Sequence, residues 1–205
     1  MKNLTMTKTA TILDRILKIL YVATKVGIIG LFIGLGFIAA FFLFHLEPWM
    51  VGNGYEELDL GAISLTLSAA ATPDSSKILL TIGGELIVAL AALVLCRRLV
   101  ACFRDILAPI KEGAPFQNEV SQSLKKAAIY TLAMGVVGNI GILVEDVIFP
   151  LVYNLPGLLL SDAITHVTVR YQMELNFLVP ASILFLLSFV FRYGESLQQL
   201  SDETL

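Results

Sequence analysis

The stretch VGIIGLFIGLGFIAAFFLFHL, residues 26–46, decides the fold. It holds no Lys, Arg, Asp or Glu. A helix rises about 1.5 Å per residue, so ~20 apolar residues cross the ~30 Å hydrocarbon core of a bilayer. The run is too long for the apolar core of a cleaved leader, and no convincing small-x-small site follows it closely. Residues 26–46 therefore read as a retained membrane span.

Three more apolar segments follow, over 78–99, 127–152 and 177–191. Asp74 can cap the second, because a carboxylate there accepts backbone N–H bonds that have no helical partner. Upstream of the first, Ile12, Ile16, Ile19 and Leu20 recur at helical spacing, with Asp14, Arg15, Lys18 and Lys25 towards the other side. Residues 10–25 read as an interfacial helix leading into the span. The stripe Leu95, Leu99, Phe103, Ile106 and Leu107 carries the second helix past the membrane as far as Pro109. The 205 residues are 57% hydrophobic and 15% charged, against about 25% charge in a soluble domain. Almost the whole chain is used by spans and connections, which makes 1–205 a single membrane domain. The fold class is an all-α membrane protein with four transmembrane helices.

Orientation follows from Lys and Arg. Of the 14, all but Lys77 and Arg170 fall in the N-terminal tail, the 100–126 loop with its flanks, and the C-terminal tail. These three regions are expected in the cytoplasm, giving an N-in, C-in topology with 47–77 and 153–176 outside. In the first outer loop Ile63, Leu65 and Leu67 alternate with polar residues; in the second Val167, Val169, Tyr171 and Met173 do. Period-two alternation predicts strands, and we expect an external β-ribbon pairing the two loops, with irregular loops or short helices as the alternative.

Several polar groups fall in the outer halves of the spans or near them: His45, Glu47, Glu85, Glu145, Asp146 and His166. Glu85 lies about two turns inside the second span, where a carboxylate must be protonated, paired or wetted. It reads as an ion site, a proton relay or a ligand contact, or else as an inward-facing structural hydrogen-bonder. Asn139 and Asp146 are seven apart and so on one helix face, with Asn139 placed to bond across helices. The two histidines lack metal-ligand spacing, so no metal is expected. Cys96 and Cys102 lie on different faces of one helix near its inner end and are expected to stay reduced. Gly27, Gly30 and Gly34, like Gly135, Gly138 and Gly141, form ridges that let helices approach, within one chain or between two copies in a homodimer.

No nucleophile motif, phosphate-binding loop or paired acid–base set is present, and no basic run of nucleic-acid type. The expectation is a non-enzymatic protein without cofactor. Its partners would be the bilayer and a protein at the cytoplasmic face. A small transporter or ion-conducting oligomer using Glu85, or a structural subunit of a membrane complex, are the alternatives.

In the middle loop, Gly113 and Pro115 force a turn, Phe116 can anchor it, and Asn118 can cap the next helix. Leu197 and Leu200 leave an apolar stripe on the tail that could dock against this loop. Gly113-Ala-Pro-Phe116, together with Tyr193-Gly-Glu-Ser-Leu-Gln198 and Asp202-Glu-Thr204, resembles a bacterial membrane family termed domain of unknown function 2975. The four-span layout agrees with it. The resemblance implies a small bacterial inner-membrane protein, often encoded beside a helix-turn-helix regulator, with a regulatory or partner-binding role. It points to a contact surface including Pro115, Phe116, Asn118, Tyr193, Gly194, Leu197, Gln198 and Asp202, with a transcription factor as the partner the resemblance suggests.

Overall fold

The computed structural model describes residues 4–44, 55–59, 64–68, 75–112, 118–152, 154, 157 and 170–203. Among the described residues, four helices are long and apolar enough to cross a membrane. They are α1 (Leu4–Phe44), α2 (Ser75–Glu112), α3 (Asn118–Leu143) continued by a π-helical turn (Val144–Ile148) and α4 (Phe149–Val152), and α5 (Leu178–Glu203). Asp74 lies outside the described residues.

The segments read separately as 10–25 and 26–46 form one uninterrupted helix through Phe44. No proline interrupts it, and Thr24 returns its hydroxyl to the Tyr21 carbonyl at 2.9 Å, a bond that leaves the helix intact. Pro109 does not end α2, which runs on to Glu112. A proline near a helix end removes one backbone bond and can be accommodated where little helix follows. In α3 the outcome differs. Phe149 N–H donates to the Val144 carbonyl, a five-residue step, immediately before Pro150. The ring of Pro150 crowds the carbonyl four residues earlier and brings no N–H, so the widened turn meets both demands. Asn154 then turns the chain with φ of 50°, a left-handed conformation that Asn adopts more readily than most side chains. In α5, Pro180 sits in the first turn, where backbone N–H groups have few helical partners.

Ser64–Ser68 forms a strand, as its alternation predicts, but its partner is Tyr55–Asp59 in the same connection. The two strands, β1 (Tyr55–Asp59) and β2 (Ser64–Ser68), pair antiparallel with Leu58 opposite Leu65. The ribbon expected between the two connections is not present among the described residues. Arg170–Leu175 carries no strand and is exposed, and Val167 and Val169 lie outside the described set. Pairing strands separated by four residues of chain loses far less chain entropy than joining segments about 100 residues apart.

The chain divides into two compact units. The first comprises Met1–Ile29, Ala91–Gly138 and Glu174–Leu205, and the second Gly30–Leu90 and Asn139–Met173. All Lys and Arg except Lys77 and Arg170 belong to the first unit. Most of the buried apolar side chains are there too: Val100, Cys102, Val120, Leu124, Ala127, Ala128 and Ala181, with Ala10. Many large apolar side chains along the spans are exposed, Phe32 and Phe37 among them. This is what a helical bundle solvated by lipid requires.

The glycines of α1 split into two roles. A Cβ on Gly27 would stand 3.0 Å from Leu93, and one on Gly34 would stand 3.4 Å from Leu86. Those two positions let α1 lie close along α2. Gly30 has nothing within 4 Å. In α3, the ring of Phe177 occupies the space where a Gly135 side chain would stand.

Candidate functional site

The polar centre of the first unit is Asp14, which periodicity alone groups with Arg15, Lys18 and Lys25 opposite the apolar stripe of its helix. Arg15, Lys18 and Lys25 are exposed; Asp14 is the exception. Ile12, Ile16 and Ile19 are exposed, and Asp14 is buried. Ala10, Asp14, Leu17, Tyr21, Thr24 and Ile28 follow a four-three spacing, and all six are buried or half-buried. That spacing puts them on one stripe of the helix.

Asp14 Oδ2 meets Lys111 Nζ at 2.6 Å and Lys18 Nζ at 3.2 Å. Its Oδ1 accepts from Arg104 Nε at 3.4 Å. The hydrogen bond from Lys111 is the main cause of a carboxyl pKa lowered from 3.8 to about 2. Desolvation opposes the shift, and Lys18 adds to it. About two turns further on, Arg97 Nη2 donates to Tyr21 Oη at 2.9 Å. The same guanidinium lies 4.6 Å above the Tyr21 ring, and that of Arg104 lies 5.6 Å from it. The hydrogen bond from Arg97 lowers the Tyr21 phenol pKa. The amphipathic reading did not find this arrangement because it grouped Asp14 with its charged neighbours on α1 and had no partner for it on α2. The signal available was the register of Asp14 with Tyr21, seven residues on.

The cysteines are both free thiols, Cys102 buried and Cys96 less so. Burial raises the Cys102 thiol pKa.

The second unit holds the polar residues expected within the spans. Glu85 is half-buried on α2 and has no side-chain hydrogen bond or ion pair among the described residues. Asn139 accepts from the Tyr171 hydroxyl, at 3.2 Å through its side-chain oxygen and 3.3 Å through its carbonyl. Asp146 sits in the π-helical turn and is exposed, as is Glu145. The wider turn breaks the simple seven-residue register from Asn139 to Asp146. No hydrogen bond or ion pair joins Glu85, Asn139 and Asp146 among the described residues, and no three of His, Cys, Asp and Glu come together there. His45, Glu47 and His166 lie outside the described residues.

Of the contact surface suggested by the resemblance, Pro115 and Phe116 lie outside the described residues. So do the side chains of Asn118 and Asp202. Tyr193, Leu197 and Gln198 are exposed on α5, and Gly194 is half-buried. Leu197 and Leu200 are 49% and 60% exposed, and residues 113–117 of the middle loop, on which they were expected to dock, lie outside the described residues. The opposite face of α5 packs within the chain. Ser188 Oγ donates to the Ser121 carbonyl at 3.0 Å, and Ala181 is buried. Beside this contact a polar cleft of about 590 Å³ is lined by Lys125, Arg192, Glu195 and Gln199, with Phe185 at its apolar side.

Compared with known proteins, the chain matches no family model, and neither the curated proteins nor the solved structures include a significant match.

Proposed function

We propose that the chain is a non-enzymatic, multi-pass membrane protein that works by binding a protein partner through α5. The observation that carries this reading is an unbroken apolar seam. Val179, Ile183, Leu186, Val190, Tyr193, Leu197 and Leu200 alternate steps of four and three residues, and each is about half exposed or more. That is the 3.5-residue period with which one helix meets another. Lipid explains exposure within the span. It does not explain why the seam keeps its period past Arg192, through Tyr193, Leu197 and Leu200. The face that packs within the chain, at Ala181 and Ser188, is turned away from the seam. Small residues flank it at Ser182, Gly194 and Ser196, which suits close helix approach.

In this reading the Lys/Arg-rich unit faces the cytoplasm of a bacterial inner membrane, and both termini lie on that side. Its resemblance to the domain of unknown function 2975 rests partly on Tyr193-Gly-Glu-Ser-Leu-Gln198, the same stretch of α5. A cytoplasmic regulator is the partner that resemblance suggests.

The test uses the full-length protein in native membranes. Wild type, Leu197→Glu/Leu200→Glu and the off-seam variant Gln198→Glu are compared by cross-linking, co-purification and energy transfer between labelled copies. Association lost only in the seam variant supports the reading. Equal association in all three overturns it.

A second reading is a small transporter or ion-conducting oligomer. It rests on Glu85, a half-buried carboxylate within α2 without an ion-pair partner among the described residues. A reconstituted flux assay decides it: wild-type flux abolished by Glu85→Gln supports transport, and absent or unchanged flux removes it.

A further inference from the structure

A groove of about 340 Å³ in the first unit is lined by Tyr21, Ile28, Val94, Arg97, Arg98 and Ala101. Its chemistry divides along its length. At one end two guanidinium groups stand beside a phenol. At the other, Ile28 and Val94 present hydrocarbon. The order follows from the antiparallel course of the helices, in which Tyr21 meets Arg97 and Gly27 meets Leu93. Moving from Tyr21 to Ile28 on α1 runs in the same direction as moving from Arg98 to Val94 on α2. In both cases the path leads into the apolar part of the helix.

The charge at the polar end is not neutralised within the described residues. Asp14 is already engaged by Lys18, Arg104 and Lys111. Neither Arg97 nor Arg98 has a carboxylate within ion-pair distance among the described residues. Arg97 uses one donor on Tyr21 Oη and is stacked on the ring, which fixes its plane and leaves further N–H groups available. A guanidinium held in this way suits the paired oxygens of a phosphate better than it suits water, because it is weakly hydrated and its donors form a fork.

We propose that this groove binds an anionic phospholipid. Its phosphodiester lies on Arg97 and Arg98, Tyr21 positions Arg97, and one acyl chain runs past Val94 and Ile28. Inorganic phosphate shares the head-group chemistry and lacks the tail. The proposal does not rest on the partner-binding role of α5.

The full-length protein is purified and reconstituted with phosphatidylcholine alone, or with equal parts of phosphatidylcholine and phosphatidylglycerol. Retained lipid is read by native mass spectrometry and stability by thermal unfolding. Wild type should retain phosphatidylglycerol in preference to phosphatidylcholine and melt at a higher temperature with it. Arg97→Gln/Arg98→Gln should lower retention roughly tenfold or more, as expected for losing charge-assisted bonds. Lys125→Gln/Lys126→Gln removes the same charge elsewhere and should leave retention unchanged. Val94→Trp, which fills the apolar end while keeping both arginines, should also lose the lipid, so the test does not depend on the arginine variant folding. Equal retention of the two lipids by wild type, equal loss in both charge variants, or equal stabilisation by inorganic phosphate would each overturn the proposal.

Discussion

Lys111 Nζ sits 2.6 Å from Asp14 Oδ2, joining the extension of α2 to that of α1. The same carboxylate also holds Lys18 and Arg104. A single buried anion therefore balances cations from two helices. Its ionisation sets a pH dependence.

The Asp14 pKa in the fold is about 2, below its ordinary 3.8. A carboxylate with a lowered folded-state pKa stabilises the fold fully above its unfolded value, and that stability is lost as pH falls through the folded value. Stability from this group should therefore hold above about pH 4 and decay towards pH 2. Asp14→Asn should flatten that decline. It should also lower the melting temperature at neutral pH by about 5 °C, because three cations lose their anion. Thermal unfolding of the two proteins across pH checks both statements.

Gly135 makes room for the ring of Phe177. Gly135→Ala should destabilise the protein by about 1–3 kcal/mol, the usual range for overpacking a tight contact. Phe177→Ala in the same chain should recover part of the loss. Unfolding of both single variants and the double variant measures the coupling.

The glycines of α1 should separate in a substitution series. Gly27→Leu collides with Leu93 and should loosen the α1–α2 contact. Gly30→Ala meets nothing within 4 Å and should be neutral or stabilising by up to about 1 kcal/mol, since a helix interior favours Ala over Gly. Equal effects at the two positions would show that α1 packs with another face.

Cys102 is buried and its thiol pKa is raised by that burial. Its alkylation at neutral pH should be slow in the folded protein and rise at least about tenfold on unfolding, because only an accessible thiolate reacts quickly. Mass spectrometry of labelled peptides, with and without denaturant, follows this site separately from Cys96.

The spans were legible because lipid-facing and interior positions are both apolar, which gives four long runs. The same property hid the α5 seam. When every position in a span is hydrophobic, a 3.5-residue period emerges only once burial separates Ala181 and Ser188 from Ile183 and Val190. Beyond the span only Leu197 and Leu200 stood out in sequence, as the end of a pattern without its beginning. The alternation around Leu65 identified a strand, but alternation carries no information about a partner. The partner, Tyr55–Asp59, reads Tyr-Glu-Glu-Leu-Asp and has little strand propensity of its own. The burial of Asp14 was not legible because a charged side chain is normally exposed, and a carboxylate matched by three cations, two of them from α2, is an exception to that rule.

The Asp14 cluster also bears on biosynthesis. Asp14 emerges early from the ribosome, whereas Arg104 and Lys111 are made 90 and 97 residues later. At about 5–20 residues per second, that interval lasts roughly 5–20 s. Through it the nascent α1 carries a carboxylate whose distant counter-charges do not yet exist. The first helix can enter the bilayer early, but its N-terminal extension lacks these two counter-charges until the second has been translated through Lys111. The two helices are therefore completed as a pair, and a chain truncated between them should leave Asp14 in water and its extension open to proteolysis.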